Sequence, residues 1–263
     1  MDSSLKFATE IAARTGKLLL TYFKPDGIFT SIKEDYSVVT EADLAADQAI
    51  AEAIQRDFPT ESLISEELQP SIGEANSAVW VVDPLDGTTN FSLGMPIWGV
   101  SIARVVDGWP TIAAVYFPVL NEMFTAQQGA GAYLNGERIH TQPPIPSKPT
   151  SFFSCCTRTF QQYDVTIRYK TRILGSACYS MCAVARGMAV LGFEATPKIW
   201  DIAASWLIVA EAGGIVDTIT SSKPFPLRAN YDYRRENFPT ISGANSKMVS
   251  QARKQIKPKT ITS

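Results

Sequence analysis

The chain carries a single histidine, His140, among its 263 residues. A histidine-built zinc centre is therefore excluded, and any triad or phosphohistidine chemistry would rest on this one side chain. His140 lies beside a proline-rich stretch and reads as a surface loop residue. Cysteine is nearly as sparse: Cys155, Cys156, Cys178 and Cys182 all fall in the second half. Their spacing suits neither a disulfide framework nor paired CxxC zinc ligands, and Cys178 and Cys182, four apart on an expected helix, read as small core residues. An excess of either charge is also missing. A net charge of −2 gives no broad field for nucleic acid or anionic lipid, so neither a nucleic-acid nor a membrane partner is expected and any polyanion must be met locally. The longest apolar stretch, IAASWLIVA before Glu211, falls well short of the roughly 18 to 20 residues that cross a bilayer. The opening MDSSLKFATEIAARTGK lacks the basic start and apolar core of a signal peptide, and the expected location is the cytoplasm.

What is present is an ordinary globular composition, 45% hydrophobic and 19% charged, in a chain long enough for one large domain or two modest halves with a substantial core. Leu5, Ala8, Ile11, Ala12, Leu18, Leu19 and Tyr22 form one stripe at helical spacing, and KPDG stops that helix. Thr40 opens a second helix, TEADLAADQAIAEAIQRDF, with Asp43 at the far corner of a capping box. ESLIS (61–65) and AVWVV (78–82) read as short buried strands, each followed by acids. Residues 97–139 form an antiparallel meander with DG and NG turns. HTQPPIPSKPT (140–150), with four prolines, reads as a semi-rigid connector between an α+β half, 1–145, and an α/β half, 146–263. The second half alternates: strand SFFSC, helix CYSMCAVARG, strand AVLGFE, helix IAASWLIVAEA ended by a glycine pair, strand GIVD, strand PTISGA and a terminal helix. The final PKTITS reads as frayed.

The chemistry concentrates in WVVDPLDGTTNF (80–91). Pro84 biases Asp83 towards extended backbone, and Gly87 allows a sharp turn, so two carboxylates can face one point. Thr88 and Thr89 stand where a short helix can start and offer N–H groups to an anion. Taken alone, Asp86-Gly87 reads equally as a common turn.

The full DPLDGT string resembles the first signature of the inositol monophosphatase family, lithium-sensitive, magnesium-dependent phosphatases of small phosphate esters. The family's second signature is matched by WDIAASWLIVAEAGG (200–214), its acidic pair by SEE (65–67), and its threonine-to-aspartate segment by VVTEAD (38–43). The resemblance runs from about residue 5 to about residue 250. It implies a layered αβαβα sandwich, with a larger antiparallel sheet and a smaller mixed sheet flanked by helices. It also implies two to three Mg²⁺ ions: Glu66, Asp83 and the Leu85 carbonyl on one, Asp83, Asp86 and Asp201 on a second, and a weaker third near Glu66. Glu66 is preferred to Glu67 by that alignment alone, since spacing leaves them equal. Independently, an all-oxygen donor set suits a hard cation.

By the same resemblance Thr88 orients the attacking water, Asp43 holds the Thr88 hydroxyl, and Glu66 helps to activate the water. Asp43 then has two compatible readings, helix cap and catalytic relay. The resemblance makes Asp86, Gly87, Thr88 and Asp201 face the substrate, and Gly175, Ser176, Ala177 and Glu194 touch its alcohol portion. Glu194 stands seven residues before Asp201, the family's interval. Lys33 lies one place off the family's mobile-loop lysine and reads as a solvated surface lysine. Two stretches depart from the family: ATPKI between Glu194 and Trp200, and SCCTRTFQQYD (154–164). They leave the acids intact but reshape the alcohol side. The implied substrate is therefore an inositol monophosphate or a related polyol or sugar phosphate, with fructose 1,6-bisphosphate, histidinol phosphate and 3'-phosphoadenosine 5'-phosphate as rivals. A non-catalytic regulatory or assembly protein retaining the fold is the alternative of a different class. Family members are often dimers, so a homodimer is implied.

Overall fold

A computed structural model describes residues 2–27, 31–32, 38–68, 71–72, 78–145 and 150–259. Lys33, residues 146–149 of the connector and residues 260–263 of the C-terminus lie outside the described residues. The chain opens on α1 (Ser3–Tyr22), capped by Asp2, then β1 (Ser31–Ile32), β2 (Val38–Val39) and α2 (Glu41–Asp57). Thr40 and Asp43 close a capping box at the start of α2, as their spacing requires. Next come β3 (Ser62–Ser65), β4 (Ser71–Ile72), β5 (Ala78–Asp86) and the short α3 (Thr88–Ser92). The meander follows: β6 (Gly99–Val106), β7 (Trp109–Phe117), β8 (Glu122–Gln127), β9 (Gly131–Leu134) and β10 (Glu137–Ile139).

These strands build a seven-stranded sheet ordered β10-β9-β8-β7-β6-β5-β3. Its pairs are antiparallel except β3 on β5, which is parallel. The larger sheet is thus mixed and not wholly antiparallel: β3 lies outside the hairpin-linked meander and joins at an edge.

The second half contributes β11 (Phe152–Cys155), α4 (Thr157–Gln162), β12 (Tyr163–Val165), β13 (Lys170–Arg172), α5 (Ala177–Ala185) and β14 (Ala189–Glu194). It ends with α6 (Ile199–Glu211), β15 (Ile215–Thr218), β16 (Tyr231–Asp232), β17 (Thr240–Gly243), α7 (Ser246–Gln255) and β18 (Ile256–Pro258). A five-stranded mixed sheet runs β13-β11-β14-β17-β15. β18 pairs with β12, so Pro258, read from sequence as the start of a frayed end, closes a strand.

Side-chain alternation along β5 sets the layers. Trp80 and Val82 face α1 and α2, packing with Leu5, Ile11, Ala46 and Ile50. Val79 and Val81 face the other way, into a core shared with α5 and α6 that includes Met181, Ile202 and Ile208. α5 also packs on β14 and β11, and α7 covers the far face of the small sheet through Met248, Val249 and Ala252. The order is helices, large sheet, α5 and α6, small sheet, α7. α5 and α6 lie between two sheets, which is why their sequences are apolar nearly all round. Among the described residues no helix is long and apolar enough to cross a membrane.

Candidate active site

A strand that should alternate carries both aspartates on one side, and a surplus residue explains it. Asp83 pairs with Ser101 and Asp86 with Gly99, so three steps on β5 oppose two on β6. Such a bulge shifts the parity by one. Leu85 therefore turns into the α1/α2 core, while Asp86 comes round to the face that Asp83 shares with α6. Proline is tolerated here because the bulged position needs no ladder donor. The sequence reading ended the strand near Val82; the strand in fact continues through Asp86.

Asp201 enters from the first turn of α6, where its Oδ2 accepts the Lys198 N–H at 2.8 Å. Glu66 follows β3, its N–H donating to the Val82 carbonyl at 3.3 Å, one residue before Asp83. Carboxylate oxygens of Glu66, Asp83 and Asp201 consequently lie within 4.8 Å of one another. Spacing left Glu66 and Glu67 equal, and it is Glu66 that reaches this cluster. Asp83 is fully buried; desolvation, then the charges of Glu66, Asp86 and Asp201, push its carboxyl well above the usual range. A hydrogen bond from the Leu85 N–H to Oδ1, 3.0 Å, acts in the opposite sense.

Asp86 is not a member of that three-carboxylate cluster. Its oxygens are taken up by the N-terminus of α5: Ser176 donates its hydroxyl to Oδ2, Ala177 its N–H to Oδ1 at 3.0 Å, and Cys178 its N–H to Oδ2 at 3.2 Å. Burial and the nearby Asp201 charge still raise Asp86 to about 7. Ser176 and Ala177, expected from the resemblance at the alcohol, are thus directed at Asp86.

Gly87 and Gly175 bring these segments together. Gly87 has φ +90°, and a Cβ there would stand 3.0 Å from the Ile97 carbonyl oxygen. Gly175 has φ +76°, and its Cβ would meet Asn90 Oδ1 at 2.5 Å. Asn90 in turn donates to the Ile97 and Leu174 carbonyls at 2.7 and 2.8 Å, tying α3 to the loop before α5. Sequence reasoning missed Asn90, which sits inside the quoted stretch but has partners 7 and 84 residues away.

Asp43 divides its two oxygens. Oδ2 accepts the Thr40 N–H at 2.8 Å and the Thr40 hydroxyl at 2.6 Å, while Oδ1 lies 3.0 Å from the Thr88 hydroxyl. Cap and site contact therefore coexist on one side chain. Thr88 Oγ1 is also 3.0 Å from the Leu85 carbonyl, and its single proton serves one acceptor or the other. Burial raises Asp43 to about 6 despite the Thr40 hydrogen bonds.

Glu194 ends β14 inside the protein, with Oε1 lacking a hydrogen-bond partner among the described residues. Burial lifts its carboxyl to about 8, tempered by Ser180. Asp47, one helical turn after Asp43 and fully buried, is likewise raised by burial. The cysteines are free; burial pushes Cys178 and Cys182 up, consistent with packing residues.

Buried acids this close, several raised above neutral carboxylate behaviour, are an arrangement that a bound cation stabilises. The donors are all oxygen, which fits a hard divalent ion.

Comparison with known proteins bears on the family and the fold. The chain matches the family model described as the inositol monophosphatase family over residues 1–257. It is 36% identical over 232 residues to a protein named Nus factor SuhB of Pasteurella multocida, covering 82% of this chain and 85% of the other. It is 33% identical over 241 residues to a fructose-1,6-bisphosphatase/inositol-1-monophosphatase of Thermotoga maritima, covering 86% and 89%. A histidinol-phosphatase of Chlorobaculum parvum is 33% identical over 229 residues, covering 81% and 85%. Among solved structures, the Thermotoga maritima IMPase superposes with a TM-score of 0.79 at 27% identity, covering 96% of this chain and 97% of that one. The chain belongs to the inositol monophosphatase family.

Proposed function

We propose that the protein is a Mg²⁺-dependent phosphomonoesterase that hydrolyses an inositol monophosphate or a related small polyol or sugar phosphate. The observation that carries this is the Thr88 hydroxyl, 3.0 Å from Asp43 Oδ1 and two residues after Asp86 of the acidic site. Glu66, Asp83, Asp201, Asp86 and the Leu85 carbonyl would hold the metal ions. When bound, Mg²⁺ offsets the carboxylate and phosphate charge, acidifies water and stabilises the departing alkoxide.

The remaining work falls to the chain. Thr88, donating to Asp43, presents its lone pairs to the incoming water and fixes the line of attack. Asp43, with a proton affinity near neutrality, takes the proton passed through Thr88. A P–O bond to water oxygen forms as the ester P–O bond breaks; the departing alkoxide takes a proton from a solvent water, and Asp43 returns the proton it holds to solvent, so the balance is ester plus water to alcohol plus phosphate. The N–H groups that open α3 at Gly87 and Thr88 face the phosphate oxygens. Glu194 at the end of β14 meets the alcohol, and the reshaped ATPKI segment beside it sets which alcohol fits.

The names of two relatives favour rival esters of the same chemistry, fructose 1,6-bisphosphate and histidinol phosphate. The name Nus factor SuhB favours a regulatory or assembly role; the complete acid set argues that turnover accompanies any such role. The test is phosphate release from a panel of these esters with Mg²⁺, with and without Li⁺, beside Asp83→Asn. Mg²⁺-dependent release that Li⁺ inhibits and the variant lacks is expected. No release from any ester, or a fully active variant, refutes the reading.

A further inference from the structure

α2 reaches the site twice. Asp43 bonds Thr88, and Asp47, on the same helix face at i+4, reaches a different part of it. Asp47 Oδ2 accepts the N–H of Glu67 at 3.1 Å and that of Leu68 at 2.9 Å, the two amides that follow Glu66. On its other side Glu66 is fastened to β5, its N–H donating to Val82. Its backbone is thus held between a strand and a helix. Asp47 has no accessible surface, and a carboxylate is retained there against a large desolvation penalty.

We infer that Asp47 is a positioning residue: by holding the amides of Glu67 and Leu68 it fixes the backbone from which Glu66 reaches Asp83 and Asp201. Resting on the metal-dependent reading above, it makes α2 the common support of the nucleophile side, through Asp43, and of the cation side, through Glu66. Groups that orient a ligand from behind are worth about 10- to 100-fold in metal affinity. A staple that served stability alone would leave that affinity unchanged in any variant that still folds.

The experiment is calorimetric Mg²⁺ binding, with the Mg²⁺ dependence of phosphate release alongside, for wild type, Asp47→Leu, Asp83→Asn and Ile50→Ala. Leucine has a similar reach and no acceptor, so Asp47→Leu removes both hydrogen bonds. Ile50 is a fully buried apolar residue of α2, so its variant controls for loss of stability. Asp47→Leu is expected to weaken Mg²⁺ binding by about tenfold or more, with turnover recovering at saturating Mg²⁺, while Ile50→Ala binds as wild type does. Should Asp47→Leu fail to fold, Leu68→Pro, at an exposed side chain, deletes one of the two donors without touching Asp47 and should weaken binding in the same sense. Wild-type affinity in either folded variant overturns the assignment, as does equal weakening in Ile50→Ala. If wild type itself binds no Mg²⁺, the metal-dependent reading falls and this inference with it; if wild type binds and Asp83→Asn does not, that reading stands whatever Asp47 does.

Discussion

Removing the metal should make the protein less stable as pH rises from about 5 to about 8. Without a cation Asp86 keeps its proton to about 7, whereas an unfolded aspartate loses it near about 3.9. Between those values the folded state binds more protons than the unfolded, so unfolding free energy falls with increasing pH. At about 1.4 kcal/mol per pH unit, the two units from about pH 5 to about pH 7 give about 3 kcal/mol for Asp86 alone. Asp43, raised to about 6, and Glu194, raised to about 8, act in the same direction. These carboxyls repel one another, so their effects overlap and about 4 kcal/mol is the working scale. For a chain of this size 1 kcal/mol moves Tm by about 2 to 4 °C, which makes the expected fall roughly 10 °C. Asp217 and Glu236, whose carboxyls are held below the usual range by Lys223, Arg253, Arg228 and neighbouring hydroxyls, act oppositely, but only below about pH 4. The assay is thermal unfolding by circular dichroism across that window, in EDTA and in excess Mg²⁺. Mg²⁺ should raise Tm most at the alkaline end, where it does not compete with protons. A metal-free Tm that is flat or rising from about pH 5 to about pH 8, or a larger Mg²⁺ effect at the acid end, would refute the reasoning.

Thr88→Val should lower kcat by about 100-fold or more with Mg²⁺ affinity intact, and Thr88→Ser should recover most of the loss; steady-state kinetics with calorimetry separates the two quantities. Asp83→Asn should abolish Mg²⁺-dependent release yet raise the metal-free Tm near pH 8, because the Leu85 bond survives and the repulsion with three neighbouring acids does not. Glu194→Gln should change the ratio of kcat/KM between esters of different alcohols while leaving Mg²⁺ binding as it was. Gly175→Ala should destabilise by about 1 to 3 kcal/mol in denaturant titrations, since it meets both a left-handed backbone and the Asn90 amide.

Where local chemistry decides, the sequence was readable. The apolar stripe of α1, the Thr40 cap of α2 and the turn-punctuated meander depend on residues within one or two turns of each other. The Asp86 clamp depends on Ser176 and its neighbours some 90 residues away, and no spacing rule reports that. The contact of Ser176 and Ala177 with Asp86 is visible only once the chain is folded. Asp47 escapes sequence reasoning for the same reason: on a helix it is one polar residue among alanines, and the two amides it holds lie 20 and 21 residues on. The strand read from the apolar run AVWVV stops at Val82, and only the pairing with β6 reveals that it continues through a bulge to Asp86. The C-terminal segment looked polar and loose, but Ile256–Pro258 completes a two-stranded ladder with Tyr163–Val165.

The bulge in β5 has a consequence for how this site tolerates change. Asp83 and Asp86 share a face because one residue more stands on β5 than on β6 between Asp83 and Asp86. Their alignment is therefore written as a length, and a length has no conservative substitute. Replacing Leu85 by another apolar residue keeps its carbonyl and alters the core by degrees, but inserting one residue beside Val100 on β6 would match the two strands residue for residue, remove the bulge and turn Asp86 away from Asp83. In a library that mixes apolar substitutions at Leu85 with single-codon insertions beside Val100, many of the first should pass and none of the second.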